Sequence, residues 1–144
     1  MKRFPLALVL TLLLGTSMWA QSYSFQTVNY PGDSFTQLLG INNNLIIAGY
    51  HNVNNNLGFT LRLPNVYTSE NFPNSMMTQV IGINNTNVTD GFYVDNNSNT
   101  HGFYRSARGL FTTVDFPGTP FNQLLSQNDM GQAAGYTNRE YDLF

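Results

Sequence analysis

The chain opens on one unbroken apolar run, residues 4–14, and after it no stretch holds the three-and-four spacing of a helix. From Phe25 onward the pattern turns short: a few alternating, β-branched or aromatic positions, then a polar stop. Segment 25–30 is rich in aromatic residues, Thr and Val, and halts at Pro31 and Gly32, a turn dipeptide. In segment 35–41, strict alternation predicts Phe35, Gln37, Leu39 and Ile41 on one face of a strand. A third segment, 46–50, follows a hairpin signal at Asn42 and Asn43, and its Gly49 predicts a close backbone approach or a bulge. A fourth, 59–63, comes after an Asn-rich loop.

The same four segments return twice. With Phe25, Tyr67 and Phe111 in register, the next 28 positions align without a gap. Tyr30-Pro31-Gly32 falls on Phe72-Pro73-Asn74 and on Phe116-Pro117-Gly118. Gln37, Gln79 and Gln123 coincide, as do Asn42, Asn84 and Asn128, and then Gly49, Gly91 and Gly135. The units run 25–66, 67–110 and 111–144, the last ending before its fourth strand is complete, with at most a stub at 141–144. Four short antiparallel strands every 40–45 residues or so is the period of a propeller blade. The expected fold is therefore all-β: tandem four-stranded antiparallel units in an incomplete β-propeller-like array. A β-sandwich or a solenoid is the alternative.

Phe111-Thr112-Thr113-Val114-Asp115-Phe116-Pro117-Gly118, Gln37-Leu38-Leu39-Gly40-Ile41-Asn42-Asn43, Ala48-Gly49-Tyr50 and His101-Gly102-Phe103 follow one another in the order of a known repeat. The chain resembles the HAF family of extracellular repeat proteins over residues 25–136. The resemblance implies an exported bacterial protein of tandem repeats, with no established catalytic residues. Two places depart from the family pattern: Asn44-Leu45 stands where the turn usually has glycine, and Ser126-Gln127 replaces Gly-Ile.

Lys2 and Arg3 before the apolar run, and Gly15, Thr16, Ser17 and Ala20 after it, predict a signal peptide over 1–20, cut near Ala20. The run is too short for a membrane anchor, which needs about 20 apolar residues. The β-repeat domain is then 21–144, extracellular or periplasmic. It carries four arginines against eight acids, a net charge of −4, so neither nucleic acid nor an anionic lipid surface is an expected partner. There is no cysteine, which excludes a disulfide framework, a thiol nucleophile and thiolate metal sites. Solubility must come from amides, and the chain has 20 asparagines, many in turn-like runs.

Candidate chemistry is thin. His51 and His101 are the two histidines, and their counterparts in the neighbouring unit are Tyr93 and Leu57. No acid or serine recurs beside them, so both are expected to be structural or at the surface. Asp95-Asn96-Asn97-Ser98-Asn99 spaces oxygens like a calcium loop but lacks its glycine and its closing acid, which favours a polar hairpin loop. Asn84, Asn87 and Asn96 fit the glycosylation pattern through composition alone and mark turns. The three glutamines are expected to be buried and to clip onto backbone. The three aligned asparagines are expected to cap turns. Asp33, Asp90, Asp115 and Asp129 share no common phase, so no carboxylate pair for acid–base work emerges. The sequence names no catalytic, cofactor-binding or metal residue. It points to a non-enzymatic binding or scaffold module, with a protein or glycan ligand, or self-association and continuation of the array. The alternative is a fragment of a larger extracellular enzyme or receptor with its catalytic part beyond Phe144.

Overall fold

The computed structural model describes residues 22–138. The leader, its cut near Ala20 and the stub at 141–144 lie outside the described residues. Those described form ten strands and no helix: β1 Thr36–Ile41, β2 Ile46–His51, β3 Leu57–Arg62, β4 Val66–Ser69, β5 Met77–Ile83, β6 Thr89–Val94, β7 Thr100–Arg105, β8 Phe111–Val114, β9 Asn122–Gln127 and β10 Ala133–Thr137. They make two four-stranded antiparallel sheets, β1-β2-β3-β4 and β5-β6-β7-β8, and a two-stranded sheet, β9-β10.

The sheets are offset from the sequence units by one strand. Val66–Ser69 overlaps the start of the second unit, yet it pairs with β3 and completes the first sheet. Phe111–Val114 completes the second sheet in the same way. Short links, 63–65 and 106–110, fold each of these segments straight back on the strand before it, as antiparallel neighbours require. The segment predicted as a strand at 25–30 is not one. It has no described strand before it to pair with, and Phe25 lies almost wholly in solvent.

Each sheet begins with a bulge. Leu38 pairs with Gly49 and Gly40 with Ala48, which leaves Leu39 as the extra residue; Ile81 and Leu125 are its counterparts. The bulge corrects the predicted alternation. The face that goes deepest carries Thr78 and Val80, not Gln79 and Ile81. The glycine opposite is obligatory, because a Cβ on Gly49, Gly91 or Gly135 would lie 2.0–2.2 Å from the carbonyl oxygen of Gln37, Gln79 or Gln123.

The turns follow the expected chemistry. Proline sits at 31, 73 and 117, followed by Gly32, Asn74 and Gly118 at φ +78°, +59° and +83°. That is the positive-φ position of a type II turn. The residue six after each turn's opening aromatic then locks it: Thr36 Oγ1, Thr78 Oγ1 and Asn122 Oδ1 accept from the backbone N–H of Tyr30, Phe72 and Phe116.

Four rings fill the first two sheets in the same arrangement. Tyr30 stacks on His51 at 3.5 Å, and Phe72 on Tyr93 at 3.6 Å, both nearly parallel. Phe59 and Phe103, each 0% exposed, lie against those stacks, and Tyr67 and Phe111 meet both the stack, edge-on, and the buried ring. Successive sheets pack through the first strand of the later one: β5 lies across β1, β2 and β3, and β9 across β5, β6 and β7. Gly58 and Gly102 make this approach possible, since a Cβ there would meet Val80 Cγ2 at 2.6 Å and Leu124 Cγ at 3.0 Å.

Candidate interaction surface

The polar residues singled out by sequence are engaged in local structure. His51 Nδ1 meets Asp33 at 2.9 Å, and His101 meets Asp115 at 2.6 Å and Asp95 at 3.3 Å. No acid recurs beside the histidines, but each has acids of its own, and these come from turns at different phases, which alignment of the units could not bring together. His51 lies across from Leu57 and His101 across from Tyr93, so the two histidines occupy opposite sides of the same cross-strand position. Partial burial pulls the His101 pKa down, but Asp115 and Asp95 outweigh it and leave it raised.

Asp95 closes its own loop. Its Oδ1 accepts from the backbone N–H of Asn97 and Asn99 at 2.8 Å each, and these bonds, Asn99 foremost, help hold its carboxyl at about 2. Among the described residues no group of three His, Asp or Glu side chains forms a metal-binding cluster. The glutamines differ from expectation. Gln37 is exposed and bonds the Tyr50 hydroxyl, while Gln79 is half-buried and donates to Asn56 Oδ1 at 2.6 Å. Both partners are side chains and neither glutamine clips onto backbone through these bonds.

The aligned asparagines do more than cap turns. Asn42 Oδ1 accepts from the N–H of Asn44 and Ile46, and Asn84 Oδ1 from those of Thr86 and Val88. Asn128 Oδ1 accepts from those of Met130 and Gln132. The amide then reaches into the next sheet: Asn42 Nδ2 donates to Asn84 O at 3.1 Å, and Asn84 Nδ2 to Asn128 O at 3.3 Å. A second rung runs beside it, Asn43 N–H to Asn85 Oδ1 at 2.9 Å and Asn85 N–H to Asp129 Oδ1 at 2.8 Å. Asn42 and Asn84 are buried; Asn128, with no described sheet after it, is exposed and its amide bonds Gln132 Oε1 of its own hairpin. The recurrence of asparagine at a fixed phase was the signal for this ladder, but its direction is visible only in three dimensions.

Two buried acids lie between the sheets. Glu70 accepts from Thr60, Thr89 and Arg105, and so ties the first sheet to the second. Asp90 is 0% exposed and neither carboxylate oxygen has a hydrogen-bond partner. Burial pushes its carboxyl up to about 6, an effect the nearby Gln127 amide only partly offsets. Gly82 opposite leaves the room it needs, for a Cβ there would lie 2.3 Å from Asp90 Oδ1.

Two apolar surfaces lie at the ends of the set of sheets. On the outer side of the first sheet, Leu38, Leu39, Gly40, Ile41 and Ile47 line a groove of about 220 Å³. Leu38 is 38% and Ile41 60% exposed, whereas Val80, at the phase of Leu38, is 0% exposed. At the other end a cavity of about 290 Å³ lies between β8, β9 and β10, with Val114, Leu124, Gly135 and Tyr136 in its wall. No family model, curated protein or solved structure matches the chain.

Proposed function

We propose that this chain is an exported bacterial β-repeat protein of the HAF type, which acts by contact and not by catalysis. It is a binding or scaffold module at the cell exterior, its units arranged as an incomplete propeller-like array. The observation that carries the reading is how the polar side chains are used. His51, His101, Asp33, Asp95, Asp115 and Asp129 are each bonded within a turn or between neighbouring strands and sheets. Contact surface, by comparison, is plentiful and apolar at both ends. A protein or glycan is the ligand class such a surface serves.

Export and chemistry are tested separately. Expression of the full chain in a bacterium should yield an exported product whose mass corresponds to a start at Gln21. A cytoplasmic product that keeps residues 1–20 would refute export. Assayed on generic ester, glycoside and peptide substrates, the product should be inactive. An activity that survives purification and disappears in His101→Ala would overturn the contact reading in favour of a catalytic one.

A further inference from the structure

We infer that the contact between the second and third sheets is a pH-sensitive joint, closed in acid and loosened toward neutrality by the charge on Asp90. The two junctions between sheets share one plan and differ at one spot. In the first, Ala48 and Ile83 belong to a single apolar cluster. At the same phases the second has Asp90 and Gln127. Two departures from the repeat, one on β6 and one on β9, thus meet across one boundary, close enough for the Gln127 amide to bear on the Asp90 charge. Since Ala48 and Ala134 stand at the phase of Asp90, the polar pair belongs to this joint and not to the unit.

Asp90 is wholly buried, with neither oxygen bonded, and among the described residues that face it none is a cation. Gly82 lies across from it on β5 and Tyr104 on β7. The Tyr104 hydroxyl is itself pushed up, by burial first and the Asp90 charge second, so it stays neutral. From the third sheet comes Gln127, whose amide donates to Val88 O at 3.1 Å. Asp129, in the hairpin beyond, is held below its ordinary value by the side chain and backbone of Asn85 and stays ionised throughout. Glu70 and Arg105 pair at 2.9 Å on the opposite face, because Thr89 and Arg105 alternate with Asp90 and Tyr104 along their strands. His101 is on that face too, held between Asp115 and Asp95.

Closed, the joint keeps the carboxyl from water and holds it at about 6; opened, it returns to its ordinary 3.8. The closed state therefore binds the proton more tightly. Closure is strongest in acid and weakens as the pH rises through 6, above which the penalty is complete. A gap of that size is about a hundredfold in the balance between closed and open. The first junction, with alanine in place of the acid, lacks this dependence. β9 is the strand that lies across β5, β6 and β7, so the third sheet is the part that parts from the second.

Two backbone amides report the junctions separately. Thr100 N–H donates across the second, to Pro120 O at 2.9 Å, and Thr78 N–H across the first, to Asn56 O at 2.8 Å. The test is residue-resolved hydrogen exchange of the full exported chain, corrected for the intrinsic effect of pH on exchange. Thr100 should open about a hundredfold more readily at about pH 7.5 than at about pH 4, with Thr78 unchanged. In Asp90→Ala, and in Asp90→Ala combined with Gln127→Ile, Thr100 should lose the dependence and keep its acid protection at both pH values. An equal change at the two amides overturns the inference, since the whole fold would then be responding. So does a wild-type Thr100 indifferent to pH, or a dependence that survives Asp90→Ala and disappears in His101→Gln. None of these outcomes bears on export or turnover, by which the contact reading is judged.

Discussion

The first strands of the first two sheets, β1 and β5, share a turn before, a bulge within and an asparagine hairpin after, and yet one is bare where the other is buried. Leu38 and Val80 occupy the same phase, oppose equivalent glycines and sit in the same bulge. They differ in what lies beyond: β5 has the first sheet across it, and β1 has no described sheet. Burial in this protein is thus a property of position in the series and not of the unit. A unit's sequence specifies the means of packing, and the neighbour supplies the core.

The sharpest way to break this comparison is to put a charge at the two positions. Val80→Asp buries an unpaired carboxylate and should cost about 4 kcal/mol or more, enough to abolish folding, while Leu38→Asp should cost under about 1 kcal/mol. Equal costs in urea denaturation would mean that the inter-sheet face contributes little.

Asp90 comes next. Its counterparts are Ala48 and Ala134, and in its buried place the folded-state pKa of about 6 stands above the 3.8 of a carboxyl free in water. The folded state therefore binds the proton more tightly, so stability rises as pH falls through 6 toward 4. The penalty is present in full above pH 6. Asp90→Ala should then stabilise the protein by about 2–3 kcal/mol at pH 7.5, with the gain shrinking to nothing near pH 4. Denaturation curves at the two pH values measure it. An equal effect at both would place the origin in packing and not in charge.

The ladder provides a smaller contrast. Asn84→Ala loses its turn bonds and the bond to Asn128 O, whereas Asn128→Ala loses only bonds within its own hairpin. The first should be the more destabilising by about 1 kcal/mol in urea denaturation. The smallest effect belongs to Leu45, which sits at φ +57° where the other hairpins have Asn87 and Gly131. Leu45→Gly relieves a left-handed side chain and should add about 0.5–1 kcal/mol, read as a higher melting temperature.

What the sequence made legible was whatever is local. The Pro-Gly and Pro-Asn turns, the asparagine hairpins and the need for Gly49 each follow from a few adjacent residues, and each is present in the structure. What escaped depends on where a segment goes after it leaves a turn. Segment 67–72 reads as the start of a unit, but Val66–Ser69 closes the sheet before it, and nothing in its composition distinguishes the two. In β5 it is Thr78 and Val80 that are covered and Gln79 that is not, and alternation alone cannot say which of two faces meets the neighbouring sheet. Asp90 shares no phase with the other acids. Its sister alanines were the available clue that its site is apolar.

The asparagine ladder has a consequence for how such a protein can change in length. Every rung runs one way, donor from the earlier unit and acceptor on the later, and every unit carries both halves. A unit copied in tandem by the gene would find an acceptor waiting downstream and a donor upstream, with no compensating mutation. The two extra residues of the second unit lengthen the β6–β7 hairpin by one pair, Val94 and Thr100, away from the rungs, so a change in that hairpin's length leaves the register intact. Loss of one turn asparagine, on the other hand, damages two units at once. Unit number can therefore vary freely across descendants of such a gene while the residue at that one turn cannot.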